Sequence, residues 1–240
     1  MDAISIDVAI QAWCVFWMTY IIFGSLLSWR AHVTGVRKVV DKMEVFSVVF
    51  TNMLWSLPGI LLLYLCPLRA WTNAHIIIKL ILTYIITDVW FYHVHIMIHH
   101  PQLYKKIHKL HHHDKMMKPY ALTALYCTPF EAIFLNIFSV SWGAVIFQIQ
   151  APYIYIWYFL VALNSVATHS GLYVPYLIDG SHDLHHKLFN YNYGVSPYLD
   201  WIYGTLSPAE QIEKEVQNIV EKKDLANFPI NTAELENINS

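Results

Sequence analysis

The chain has 240 residues, 56% of them hydrophobic and 13% charged, with a net charge of −2. Soluble domains carry about 25% charged residues, so this composition excludes an ordinary soluble domain and points to a polytopic membrane protein. The small net charge gives no electrostatic basis for binding nucleic acid. Three widely separated cysteines, Cys14, Cys66 and Cys127, make no disulfide framework.

A membrane span needs roughly 20 mostly apolar residues. Val8 to Trp29 is the first candidate. Asp2 and Asp7 precede it in place of basic residues and no small-residue cleavage pattern follows, so it reads as a retained anchor and not as a signal peptide. Val45 to Cys66 is the second, with a kink expected at Pro58-Gly59. Ala74 to Ile98 is the third, and Pro129 to Thr168 is long enough for two passes, with a turn marked by Gln148, Gln150 and Pro152. That block reads as a helical hairpin. Beyond Pro208 the chain becomes polar, and "AEQIEKEVQNIVEKK" predicts a surface helix before a frayed tail.

Basic residues orient the spans. Arg30, Arg37, Lys38 and Lys42 lie between the first two, Lys105, Lys106, Lys109, Lys115 and Lys118 follow the third, and Lys187, Lys214, Lys222 and Lys223 follow the hairpin. Only Arg69 and Lys79 belong to the other side, so the N-terminus is expected in the lumen and the C-terminal segment in the cytosol. The expected fold is all-α: a polytopic membrane helical bundle of about four to five passes, including a helical hairpin, with a cytosolic histidine-rich helical cap. Residues 1–73 form two transmembrane helices and a basic loop, 74–207 the catalytic unit, and 208–240 a polar cytosolic tail.

This topology gathers the dense histidine clusters on one face. His95 and His99 end the third span, one helical turn apart. "HKLHH" (His108, His111, His112) and "HDLHH" (His182, His185, His186) place imidazoles at i, i+3 and i+4 of two expected helices, and His169 ends the hairpin. A stripe of that spacing offers rings to two neighbouring ions. Nine imidazoles exceed the six ligands of an octahedral site, so they imply two metals. Imidazole suits Zn, Cu, Fe and Ni. A closed structural zinc site would use cysteines, and the Glu pairs of soluble di-iron bundles are absent, which favours an all-histidine pair of irons.

"HVHIMIHHPQLYKKIHKLHH", "ATHSGLYVP" and "HDLHHKLFNYNYG…LDWIYGT" together resemble the sterol desaturase and fatty acid hydroxylase superfamily, from about Asp88 to Thr205. The resemblance implies a membrane di-iron oxidase in which His95, His99, His108, His111, His112, His169, His182, His185 and His186 bind two Fe ions, with Zn able to replace them on overexpression. It further implies O2 as oxidant, electrons from NAD(P)H through cytochrome b5 and its reductase, a membrane lipid substrate and the endoplasmic reticulum membrane. "HHPQLYKKIHK" and "FNYNYG" look most like sterol C-5 desaturases, while "HDLHH" and "GTL" look closer to 4-methylsterol oxidases. Sphingolipid or fatty acyl hydroxylation is the alternative. The family's Arg after the first box histidine is Ile96 here, its His before "PFE" is Thr128, and its Trp ahead of the first box is His93.

Asp88, inside a span and one heptad before His95, is expected to accept a hydrogen bond from a ligand ring. Glu131, Asp183 and Asp200 are candidates for the same task, and Asn192 in "NYG" reads first as a turn former. His32 and His75 read as ordinary packed or hydrogen-bonded residues, and His93, His100 and His113 flank the ligands without joining them. A metal transporter would need polar residues across the span centres, which are apolar here. The remaining rival class is a non-catalytic metal- or lipid-binding membrane protein.

Overall fold

The computed structural model describes residues 6–65, 75–112, 118–174 and 178–227. Five of its helices are long and apolar enough to cross a membrane: α1 (Ile6–Val33), α2 (Lys42–Leu65), α3 (Ile76–Ile98), α5 (Pro129–Ile146) and α6 (Ala151–Thr168). Between them lies short α4 (Pro101–Ile107), and after them come α7 (Ser181–Leu188), α8 (Pro197–Tyr203) and α9 (Ala209–Asn227). Among the described residues there is no strand, only one isolated bridge between Val174 and Ile178. The all-helical membrane bundle is therefore the architecture. The end of the second span at Cys66, His113, and the tail from residue 228 lie outside the described residues.

Local chemistry sets the boundaries. Thr128 caps α5 by accepting from the Glu131 N–H, with Pro129 at the first helical position. Gln148 adopts a left-handed conformation (φ 49°) and ends the outgoing arm, and Gln150 with Pro152 starts α6, the turn expected from the sequence. Pro58 sits inside α2. A π-turn over Ala132–Ile137 follows Glu131 within α5, an insertion frequent at functional sites.

The hairpin is splayed. Its arms are tied by Ser141–Tyr158 (2.7 Å) and Trp157 to the Val140 carbonyl (2.8 Å). Their larger interfaces are with other helices, α6 against α1 and α5 against α3. Close approach there depends on Gly143, where a Cβ would fall 2.6 Å from the Thr83 Cα. The apolar core, including Phe16, Trp17, Tyr20, Ile60, Ile154 and Tyr158, joins α1, α2, α5 and α6. Splaying leaves a cavity of about 150 Å³ between α1, α3, α5 and α6 that ends at the histidines.

Two connections fold over that end. The segment 118–128 is pinned by Tyr20, whose hydroxyl donates to the Leu122 carbonyl (2.7 Å), and by Asn52, which donates to the Leu125 and Cys127 carbonyls (2.9 Å each). The α1–α2 loop carries Arg37 into the interior of the cap, where its guanidinium meets Asp183 at 2.5 Å.

Candidate metal centre

All nine box histidines converge, in two groups. His95, His99, His108, His112 and His185 bring one ring nitrogen each to a common point, and so do His111, His169, His182 and His186; within each group those atoms lie within 4.8 Å of one another. The second and third boxes each serve both groups, as the i, i+3, i+4 pattern requires. "HDLHH" lies on α7, as expected. "HKLHH" does not form a full helix. α4 ends at Ile107, and residues 108–112 continue as hydrogen-bonded turns (His111 N to His108 O 3.0 Å, His112 N to His108 O 3.2 Å). Those turns keep the helical spacing of the rings without helix packing, because three of the five side chains point into the site.

Backbone carbonyls set the protonation of the rings. His95 Nδ1 lies 2.8 Å from the Tyr193 carbonyl, His185 Nδ1 2.7 Å from that of Tyr191, and His169 Nδ1 2.9 Å from that of Ser165. A carbonyl only accepts, so each Nδ1 carries the hydrogen and each neutral ring presents a bare lone pair at Nε2. Glu131 Oε1 lies 2.9 Å from His108 Nδ1 but off the line of a hydrogen bond. The bare Nε2 lone pair of His95 faces His108 Nε2 at 3.1 Å, inside a converging set of nitrogens that a cation would bridge. His112–His185 (3.0 Å), His169–His182 (2.9 Å), His182–His186 (3.2 Å) and His111–His169 (3.5 Å) repeat the spacing at Nε2. Nitrogens bound to one ion at about 2.1 Å stand roughly 3.0–3.4 Å apart across octahedral or tetrahedral angles. The residues fit two metal ions.

Electrostatics agree. Burial pushes His108 and His185 down to about 3, and His111 to about 4 against an opposing pull from Glu131. Burial and neighbouring imidazoles push His99, His112, His169, His182 and His186 well below the ordinary value. These rings are neutral at pH 7 and available as ligands.

The acidic candidates divide. Glu131 is beside a box histidine, as expected. Asp88 is not: it accepts from the Val195 N–H (2.9 Å), the Ser196 N–H (3.1 Å) and the Ser196 hydroxyl. Asp200 accepts from the Tyr193 and Gly194 N–H groups (2.8 Å each) and from Thr205 (2.7 Å). Both carboxylates hold the 193–196 turn whose carbonyl orients His95. Gly194 permits both carboxylates to close on the turn: a Cβ there would lie 2.5 Å from the Ser196 carbonyl oxygen and 3.0 Å from Asp200 Oδ2. Asp183 pairs with the buried Arg37 guanidinium. Asn192 is a left-handed turn residue (φ 58°) whose side chain ties Ser181 to Ser207.

Arg37 is the residue that sequence reasoning counted only as a topological charge. It is 4% exposed, and the "HSG" glycine, Gly171 (φ 74°), makes room for it, since a Cβ there would fall 2.8 Å from its Cζ. Of the departures from the family pattern, Ile96 is exposed, Thr128 caps α5 and donates to the Ile107 carbonyl (2.9 Å), and His93 bonds the Val89 carbonyl (2.7 Å). A wider cavity of about 440 Å³, bounded by Tyr84, Asn164 and residues 195–198, shares Ser181, His182 and Asn192 with the inner one.

The sequence model of the fatty acid hydroxylase family matches residues 80–205, the stretch that carries all nine histidines. The chain belongs to that family. It is 31% identical over 186 residues to fatty acid hydroxylase domain-containing protein 2 of Homo sapiens, covering 71% of this chain and 55% of that protein. It is 31% identical over 153 residues to a methylsterol monooxygenase of Arabidopsis thaliana (58% and 55%) and 32% over 173 residues to a very-long-chain aldehyde decarbonylase of Oryza sativa subsp. indica (66% and 60%). The chain spans about half the length of the curated relatives it matches. No solved structure matches it.

Proposed function

We propose that the protein is an O2-dependent membrane oxidase that binds one iron in each histidine group and acts on a C–H bond of a lipid, with a 4-methylsterol as the preferred substrate class. The observation that carries this reading is the convergence of nine ring nitrogens in two groups, with the Nδ1 protons of His95, His169 and His185 held by backbone carbonyls. A bound pair of redox-active irons supplies the activation of O2 and the attack on an unactivated C–H, which side chains lack the chemistry to perform. The methylsterol monooxygenase among the relatives favours oxidation of a methyl group over C-5 desaturation.

The chain's own residues do the rest. Tyr191, Tyr193 and Ser165 carbonyls hold protons on the far ring nitrogens, orienting the ligands and raising their basicity, and the Glu131 carboxyl stands beside His108 Nδ1. Phe16, Phe91, Leu125 and Leu135 line the inner cavity with Thr87 and Ser139, excluding water and placing the substrate's reacting end beside the histidines. At about 150 Å³ that cavity accepts one end of a lipid and leaves the remainder in the wider space outside it. Exposed Lys105, Lys106 and Lys109 on the histidine side offer cytochrome b5, an acidic electron donor, a docking face, with this face in the cytosol at the endoplasmic reticulum.

Sterol and ceramide profiling of cells expressing the chain or its His185→Ala variant tests the reading, with iron measured on the purified protein. Depletion of 4-methylsterols by the parent only, with two irons per chain, is expected. Unchanged sterols alongside new hydroxy-ceramides would replace the sterol assignment, and a fully active metal-free preparation would end the oxidase reading.

A further inference from the structure

The basic-residue count puts the stretch after the third histidine box on the cytosolic side, but its contacts lie along a membrane span. Val195 and Ser196 donate their N–H groups to Asp88. Tyr203 stacks on Tyr92 with centroids 5.2 Å apart, and Thr205 meets the Tyr92 hydroxyl at 3.0 Å. On a helix rising 1.5 Å per residue, Tyr92 lies about 9 Å and Asp88 about 15 Å below Ile98 at the histidine end of α3. α5 and α6 span 18 residues each, about 27 Å, barely the thickness of a hydrocarbon core of about 30 Å. The core must therefore reach their histidine-side ends, and the level of Asp88 falls inside it.

The side chains suit that depth. On α8, Tyr198 (69%), Trp201 (72%), Ile202 (62%) and Tyr203 (56%) are exposed. Asp200, the sole charged residue between Lys187 and Glu210, is buried with both oxygens bonded. The exposed face is free of charge, and α3, which this helix contacts, also exposes apolar residues, Ile81, Ile85 and Val89. Polar backbone at this depth is tolerated only when satisfied within the protein, which is what Asp88 and Asp200 do for residues 193–196.

We propose that Val195–Tyr203 is inserted in the bilayer against α3, with lipid acyl chains as its partner, and that it forms the lip of a lateral opening into the histidine cavity. Residues 195–198 wall the wider cavity opposite Asn164 and Thr168 of α6, so a lipid leaving the bilayer between α3 and α6 passes them. The opening rests on the lipid-oxidase reading; the insertion does not.

The test uses the full chain in phosphatidylcholine nanodiscs, with its cysteines replaced by alanine and one cysteine carrying an NBD fluorophore at Ile202, Tyr198, Ile81 or Lys105. Doxyl-labelled phosphatidylcholine is expected to quench the Ile202 probe as strongly as the Ile81 probe, with iodide quenching it several-fold less than the Lys105 probe. Iodide quenching equal to that at Lys105 overturns the insertion. Lipid quenching at Tyr198 supports the lip, while purely aqueous quenching there, with Ile202 still in lipid, overturns the opening alone. Disulfide-linked dimers through Ile202→Cys without lipid quenching would give this face to a second copy and overturn the proposal. Hydroxyl-radical footprinting of the unsubstituted chain reads the same point: Trp201 should oxidise several-fold less in nanodiscs than after unfolding, and equal oxidation overturns the insertion. No readout requires turnover, so failure here is separable from failure of the oxidase reading.

Discussion

Arg37 places a positive charge in the interior of the cap, and its partner Asp183 lies between His182 and His185 on α7. Removing one member of a buried pair leaves an uncompensated charge and costs about 3–5 kcal/mol. Arg37→Met is therefore expected to lower the unfolding temperature and to deplete bound metal from the group containing His182 and His186. Arg37→Met with Asp183→Asn should recover part of both, read by thermal melts and metal analysis as a double-mutant cycle. Glu131 stands beside the His108 ring. Glu131→Leu deletes the acceptor facing His108 Nδ1 and is expected to weaken metal retention about 10–100-fold in chelator competition, with Glu131→Gln, which keeps an acceptor oxygen, losing less. Glu131 was legible in the sequence because an acid near a span's end has few reasons to be there. The carbonyls of Tyr191, Tyr193 and Ser165 were not, since every residue carries one and only the fold selects which meets a ring.

Helix spacing decides where the cavity lies. Because α5 packs on α3 and α6 on α1, the hairpin arms part and leave the inner space open. Gly143 sets the first of these contacts, and Thr87 reinforces it by donating to the Ser139 carbonyl at 3.0 Å. Gly143→Ala forces α3 and α5 apart and should cost about 1–3 kcal/mol, seen as a lower melting temperature in detergent; an unchanged melt would show that the contact yields. The spans and the hairpin turn could be read from apolar runs, Pro152 and the two glutamines. The splay could not, because the hydropathy of an arm is the same whichever neighbour it packs against. "HKLHH" misled for a related reason: i, i+3, i+4 spacing is met by consecutive turns as well as by a helix.

Across the whole molecule, the α1–α2 loop, the end of α3, the start of α5 and the end of α6 share the histidine side, as Arg37–Asp183 and His108–Glu131 require. Under the proposed cytosolic placement, Lys105, Lys106 and Lys109 face the electron donor. Changing all three to Glu should slow turnover supported by cytochrome b5 several-fold and abolish its salt dependence, with metal content unchanged; an unaltered rate would move the docking face elsewhere. Under the same placement the N-terminal end of α1 faces the lumen, and a glycosylation tag before residue 6 is expected to be modified, which a tag after residue 227 should not be.

The sequence by itself determined the all-helical membrane architecture and the nine converging histidines, because apolar length and ring spacing are local properties that hold in any packing. Only the tertiary structure decided how those rings sort into two groups, that Asp88 and Asp200 bind backbone and not imidazole, and that Arg37 and the 194–205 segment leave the places their sequence neighbourhoods suggest. Each of those depends on which distant backbone lies within hydrogen-bonding reach, and that is set by helix packing and by glycines such as Gly143, Gly171 and Gly194 that permit close approach.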